Sequence, residues 1–220
     1  MIIFHGSNQI ISVPLPGIGK VHNDYGRGFY CTEDMELAKE WACPGERDGF
    51  VNAYRLEESG MSCLNLSGEG YNVLNWLAVL LENRVFELSF PIAMQGKKYI
   101  LDSFLPAYKD YDLIKGYRAD DSYFSFARAF LNNTITLEQL SLAMRLGNLG
   151  EQVVLKSAAA FDAVWKENTI YVQASVYHVK RVNRDRQARD EHLNMLAQPH
   201  NGVYLSQIVN EKWTNDDPRL

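Results

Sequence analysis

The chain has 220 residues, 46% of them hydrophobic and 12% aromatic, a mixture that supports a packed core and excludes an intrinsically disordered chain. Charged residues make up 22% and the formal net charge is -5, so the surface as a whole is not the basic field of a non-specific nucleic-acid binder. Three cysteines, Cys31, Cys43 and Cys63, form no CxxC pair and show no disulfide-like spacing, which fits a reducing compartment and makes the cytoplasm the expected location.

Met1-Ile-Ile-Phe-His lacks the basic segment and long apolar run of an export signal. Ile2-Ile3-Phe4 reads as a short buried strand ending at His5-Gly6-Ser7, and the following loop, with Pro14, Pro16, Gly17 and Gly19, has room to cover a ligand. Residues 26–32 read as a strand entered through glycine, after which Thr32 is placed to cap a helix with Glu33 and Asp34 in its first turn. Leu37, Ala38 and Trp41 share one face of that helix, Pro44-Gly45 stops it, and residues 49–56 read as the next strand. Between residues 71 and 88, Leu74, Leu77, Ala78, Leu81 and Val85 recur at helical spacing, which predicts a helix with one apolar stripe. The most apolar part of that stretch, residues 73–81, falls short of the roughly 20 residues of a membrane span, so no membrane association is expected.

Residues 111–117 resemble a strand, and Asp121, beside Asp120, stands before an aromatic-rich helix over 122–131. Capping is the simpler role for this Asp pair, and ligand contact or acceptor positioning is the alternative. Thr136 and Gln139 form a capping-box pattern for a helix ending near residue 147. Residues 151–156 have the apolar centre of a buried strand, and the β-branched stretch 169–182 holds at least one more. Strands broken by helices without a repeating βα unit predict an α+β fold with a split, mostly antiparallel sheet. The main domain is expected over 1–182. Residues 183–220, charged and then apolar at 202–209, are expected to pack on it as a C-terminal extension.

His5-Gly6-Ser7, followed by Asp24-Tyr25-Gly26-Arg27-Gly28-Phe29-Tyr30-Cys31-Thr32 and then Trp41, forms a composite whose order and distances carry more weight than any one residue. It resembles the poly(ADP-ribose) polymerase type of ADP-ribosyltransferase, with its His-Gly-Ser or His-Gly-Thr and its Tyr-Gly-Lys-Gly-Ile-Tyr-Phe run. The resemblance implies NAD as co-substrate, no metal, and an ADP-ribosyltransferase-like split sheet. It gives His5 a bond to a ribose hydroxyl, gives the backbone at Gly6 and Ser7 a hold on the nicotinamide amide, and stacks Tyr30 on the nicotinamide ring. Trp41 closes the other ring face, as electron-rich rings suit a planar cation, and Gly26 and Gly28 let the backbone approach the ligand. Where the polymerases carry a serine eight residues past the tyrosine, this chain has Ala38.

Breaking the bond between nicotinamide and ribose passes through an oxocarbenium-like state that a carboxylate stabilises. The resemblance places Glu151 on that role, with Gln152 one residue away as the alternative. Only one of the two can face the cleft, because consecutive strand side chains alternate, and Glu151 is the expected one. A more specific resemblance is to a bacterial family of short proteins with this His-Tyr core, recognised by Tyr111-Asp-Leu-Ile-Lys-Gly, Ala119-Asp120-Asp121 and Glu151-Gln152-Val-Val-Leu. Its members are often encoded beside a small partner protein in a toxin-antitoxin-like layout. The implied activity is mono-ADP-ribosyl transfer to a protein or nucleic acid by an intracellular bacterial toxin or effector, with a small antitoxin-like protein as the implied partner. NAD hydrolysis, or a non-catalytic NAD or ADP-ribose-binding module, are the alternatives. Lys180, Arg181, Arg184, Arg186 and Arg189 form a basic cluster, a solvated face or an acceptor contact. His22, His178, His192 and His200 lack metal-ligand spacing.

Overall fold

The structure, a computed structural model, describes residues 1–119, 121–144, 150–197 and 201–220, with only the backbone of 121–123 and of His192. The expected strand at the N-terminus forms as β1 (Ile2–Ser7). It pairs antiparallel with β3 (Gly49–Leu56), which pairs antiparallel with β7 (Val164–Val172), making a three-stranded sheet in the order β1-β3-β7. A second, four-stranded sheet runs β2 (Phe29–Cys31), β6 (Glu151–Leu155), β5 (Leu113–Tyr117), β4 (Cys63–Asn65). Its pairs are antiparallel except β4 with β5. One backbone bridge, Phe4 with Thr32, ties the two sheets together. The fold is therefore α+β, with two mostly antiparallel sheets and surrounding helices.

Strand alternation sorts the core. Val153 and Leu155 of β6 join Ile3, Cys31, Leu56 and Leu113 in one buried cluster, while Val154, on the opposite face, joins the helical core with Ile114. That helical core is built around α2 (Val73–Asn83). The helix is not the one-stripe amphipath its spacing predicts: all eight residues from Leu74 to Leu81 are buried, because α3 (Pro91–Phe104), α4 (Asp121–Leu131) and α8 (Leu205–Asn210) contribute to the same cluster. It also ends at Asn83, five residues before the expected limit (88 − 83).

Helix α1 (Met35–Ala42) starts two residues later than expected, since Asp34 and not Thr32 accepts from the Glu36 and Leu37 amides as N-cap. The capping box at Thr136 and Gln139 forms and starts α5 (Leu137–Ala143), whose expected end near residue 147 lies outside the described residues. Residues 169–182 are strand only to Val172. Helix α7 (Ala174–Ala197) follows and runs straight through the expected boundary at 182/183. The short α6 (Ala158–Asp162) joins β6 to β7. Among the described residues no helix is long and apolar enough to cross a membrane.

Candidate active site

The site begins at Gly6, which lies so close to α1 that a β-carbon there would collide with the Ala38 carbonyl oxygen and come within 2.6 Å of the Ala42 amide nitrogen. Only glycine lets α1 pack directly on β1, and this contact carries Trp41 to the end of β1. Ala38 is itself fully buried at that contact. Next to Gly6, the His5 ring stacks on Phe29 with centroids 4.3 Å apart. His5 Nδ1 lies 2.7 Å from the Tyr30 carbonyl oxygen. A carbonyl can only accept, so Nδ1 carries the hydrogen and Nε2 of the neutral ring remains an acceptor.

Burial lowers the His5 pKa below its ordinary 6.5, against the opposing pull of the Tyr30 carbonyl, so the ring is neutral at pH 7. A histidine buried neutral contributes its full stability above its unfolded pKa. That contribution declines as the pH falls below 6.5, because the unfolded chain then binds a proton that the folded ring resists. The melting temperature is expected to drop from about pH 7 to about pH 5.5, and His5→Gln is expected to drop less. Equal slopes for the two proteins would contradict a buried, neutral His5.

His5, Gly6, Ser7, Gly28, Tyr30 and Trp41 all line one cleft of about 900 Å³, together with Gln152. Tyr30 reaches it from β2, held by its hydroxyl, which donates to the Gly26 carbonyl at 2.5 Å and accepts from the Tyr25 amide at 3.0 Å. With the hydroxyl engaged both ways, the ring face is what Tyr30 offers a ligand. Gly26 has φ +74°, a left-handed conformation that glycine takes without strain. Lys156 Nζ, donating to the Tyr25 and Arg27 carbonyls at 2.6 Å each, ties this turn to the end of β6. Val13, Leu15 and Ile18 of the proline- and glycine-containing loop line the cleft while remaining exposed. Its start is fixed by buried Asn52, whose Oδ1 accepts from the Ile11 amide at 2.9 Å, and by Tyr54 and Lys166, which both donate to the Ile11 carbonyl.

The structure corrects the expectation for the carboxylate. Tyr30 pairs with Val154 in the β2–β6 register, so Gln152, two residues along, shares the Tyr30 face and Glu151 does not. Gln152 is 4% exposed and lines the cleft, whereas Glu151 is exposed and does not line it. The carboxylate on the cleft wall is instead Asp24, only 6% exposed. Its Oδ2 accepts from the Gln152 side-chain amide at 3.0 Å and from the Ala119 backbone amide at 2.9 Å, and Oδ1 lies 3.7 Å from Arg84 Nη1. Burial pushes the Asp24 pKa above its ordinary 3.8. The Ala119 amide, Arg84, Gln152 and Arg118 oppose the shift without cancelling it.

Four cations, Lys20, Arg84, Arg118 and Arg181, also line the cleft, so its wall is cationic on an acidic protein. The Arg118 guanidinium lies 4.8 Å from the Trp41 ring centroid, a cation–π contact. The Trp41 Nε1–H is buried without a hydrogen-bond acceptor among the described residues. The basic cluster on α7 is not one free face: Lys180 and Arg184 pair with Glu36 and Glu40 of α1, and Arg189 pairs with Asp185. Arg181 turns to the cleft. His22 bonds the Asn83 carbonyl and His178 the Cys43 carbonyl, each through Nδ1. The His192 and Asp121 side chains, with Asp120 and His200, lie outside the described residues.

A family model described as "Protein of unknown function (DUF3990)" matches residues 1–165. Neither the curated proteins nor the solved structures give a match.

Proposed function

Since the chain belongs to the DUF3990 family, whose description assigns no activity, we propose from the cleft itself that the protein binds NAD and transfers ADP-ribose from it to a protein or nucleic-acid acceptor. The observation that carries this is the convergence of His5, Gly6, Ser7, Gly28, Tyr30 and Trp41, from two strands, the turn before β2 and a helix, on one cleft. Each offers what the dinucleotide needs. Two aromatic rings suit the planar nicotinamide cation, His5 Nε2 suits a ribose hydroxyl, and the cationic wall suits a pyrophosphate. The cleft volume, about 900 Å³, falls within the range of small-molecule and cofactor sites. Arg181 at the cleft wall is the α7 cation best placed to meet an acceptor.

Gln152 at the inward position favours a second reading, a module that retains NAD or ADP-ribose without turnover, because an amide dipole stabilises a cationic sugar less than a carboxylate does. Incubating purified protein with NAD separates the possibilities. Nicotinamide release with mass added to a protein or nucleic acid is the expected result. Release without added mass indicates water as the acceptor, and intact NAD after prolonged incubation indicates binding alone.

A further inference from the structure

We propose that Asp24, held by Gln152, supplies the carboxylate that faces the reacting ribose; the inference rests on the NAD function proposed above. Among the described residues Asp24 is the one carboxylate on the cleft lining. Two amide donors fix its Oδ2, while among the described residues the contact at Oδ1 is Arg84 at 3.7 Å, longer than a charge-assisted hydrogen bond, so Oδ1 keeps its capacity to accept. Burying a carboxylate at 6% exposure is costly where a neutral side chain would fill the same space, and such groups concentrate where chemistry needs them. The β6 strand thus contributes an amide that orients the carboxylate, and the turn before β2 contributes the charge.

In the reaction the bond between ribose C1′ and the nicotinamide nitrogen breaks, and its electron pair leaves with nicotinamide. Positive charge spreads over C1′ and the ring oxygen, opposite the Asp24 carboxylate. The oxygen of a water or an acceptor hydroxyl forms the new bond to C1′, and its proton passes to Asp24 and then to solvent. Burial raises the basicity of this carboxylate, which suits it to that last step.

The test compares single-turnover nicotinamide release and calorimetric NAD affinity in wild type, Asp24→Asn, Glu151→Gln, and the swap Asp24→Asn with Gln152→Glu. Asp24→Asn is expected to lose release on the order of a hundredfold while NAD affinity changes by less than about threefold. Glu151→Gln should match wild type, and the swap, which restores a carboxylate paired with an amide, should recover part of the release. Wild-type release by Asp24→Asn would overturn the proposal, as would a parallel loss of affinity and release, the mark of a merely structural role. If Asp24→Asn does not fold, a folded swap variant without release overturns it and one with release supports it. NAD that binds wild type without being cleaved also overturns it but leaves the binding cleft standing, whereas absence of NAD binding removes the proposed function itself.

Discussion

Replacing Gly6 with Ala is expected to destabilise the protein by roughly 3 kcal/mol or more, at or above the upper end of ordinary overpacking. The added carbon would meet the Ala38 carbonyl oxygen, the Ala42 amide nitrogen and the Trp41 Cβ, two of them backbone atoms that cannot swing aside. The strand cannot yield easily either, because β1 is paired along its whole length with β3 and bridged to Thr32. If the variant folds, α1 must move outward and take Trp41 with it, so NAD affinity should fall with stability. Denaturant unfolding checks the first effect and calorimetry the second. A variant as stable as wild type would mean that α1 does not pack on β1 as closely as the structure has it.

Trp41→Ala is expected to weaken NAD binding at least about tenfold, equivalent to about 1.4 kcal/mol, with little loss of fold because Trp41 is only partly buried. The substitution removes a ring face for the nicotinamide cation and leaves Arg118 without the aromatic surface it covers. Trp41→Phe keeps a ring but loses the Nε1–H, so an intermediate affinity would separate stacking from hydrogen bonding. Tyr30→Phe tests the other wall more gently than Tyr30→Ala, since the hydroxyl is engaged by the 25–26 turn. The NAD-dependent rise in melting temperature provides the comparison, and unchanged rises for Trp41→Ala and Tyr30→Ala would remove both rings from the site.

His5, Tyr30 and Trp41 could be grouped from the sequence because their composite resembles the ADP-ribosyltransferase motif, and the structure places all three on one cleft. The choice between Glu151 and Gln152 was not, since alternation says only that the two differ. Which one faces inward depends on the pairing of Tyr30 with Val154, and a one-residue slip would reverse it. Asp24 was visible as the first residue of the tyrosine motif, but its role depends on contacts with Ala119 and Gln152, 95 and 128 residues away. Helix α3 was hidden by Gly96, a poor helix residue that makes sense only once Leu205 of α8 packs against it. Helix α7 was hidden in its first turns by Val176, Val179 and Val182, whose β-branched side chains read as strand. The three-residue β4 is too short to leave a period.

The most direct measurement is a calorimetric titration of NAD into the wild-type protein, with adenosine monophosphate and nicotinamide alone as controls. One saturable site per chain, tighter for NAD than for either fragment and lost in Trp41→Ala, is the predicted result, because the cleft joins an aromatic end to a cationic wall. No heat of binding from folded protein at millimolar NAD, or equal heats from wild type and Trp41→Ala, would contradict a dinucleotide site in this cleft.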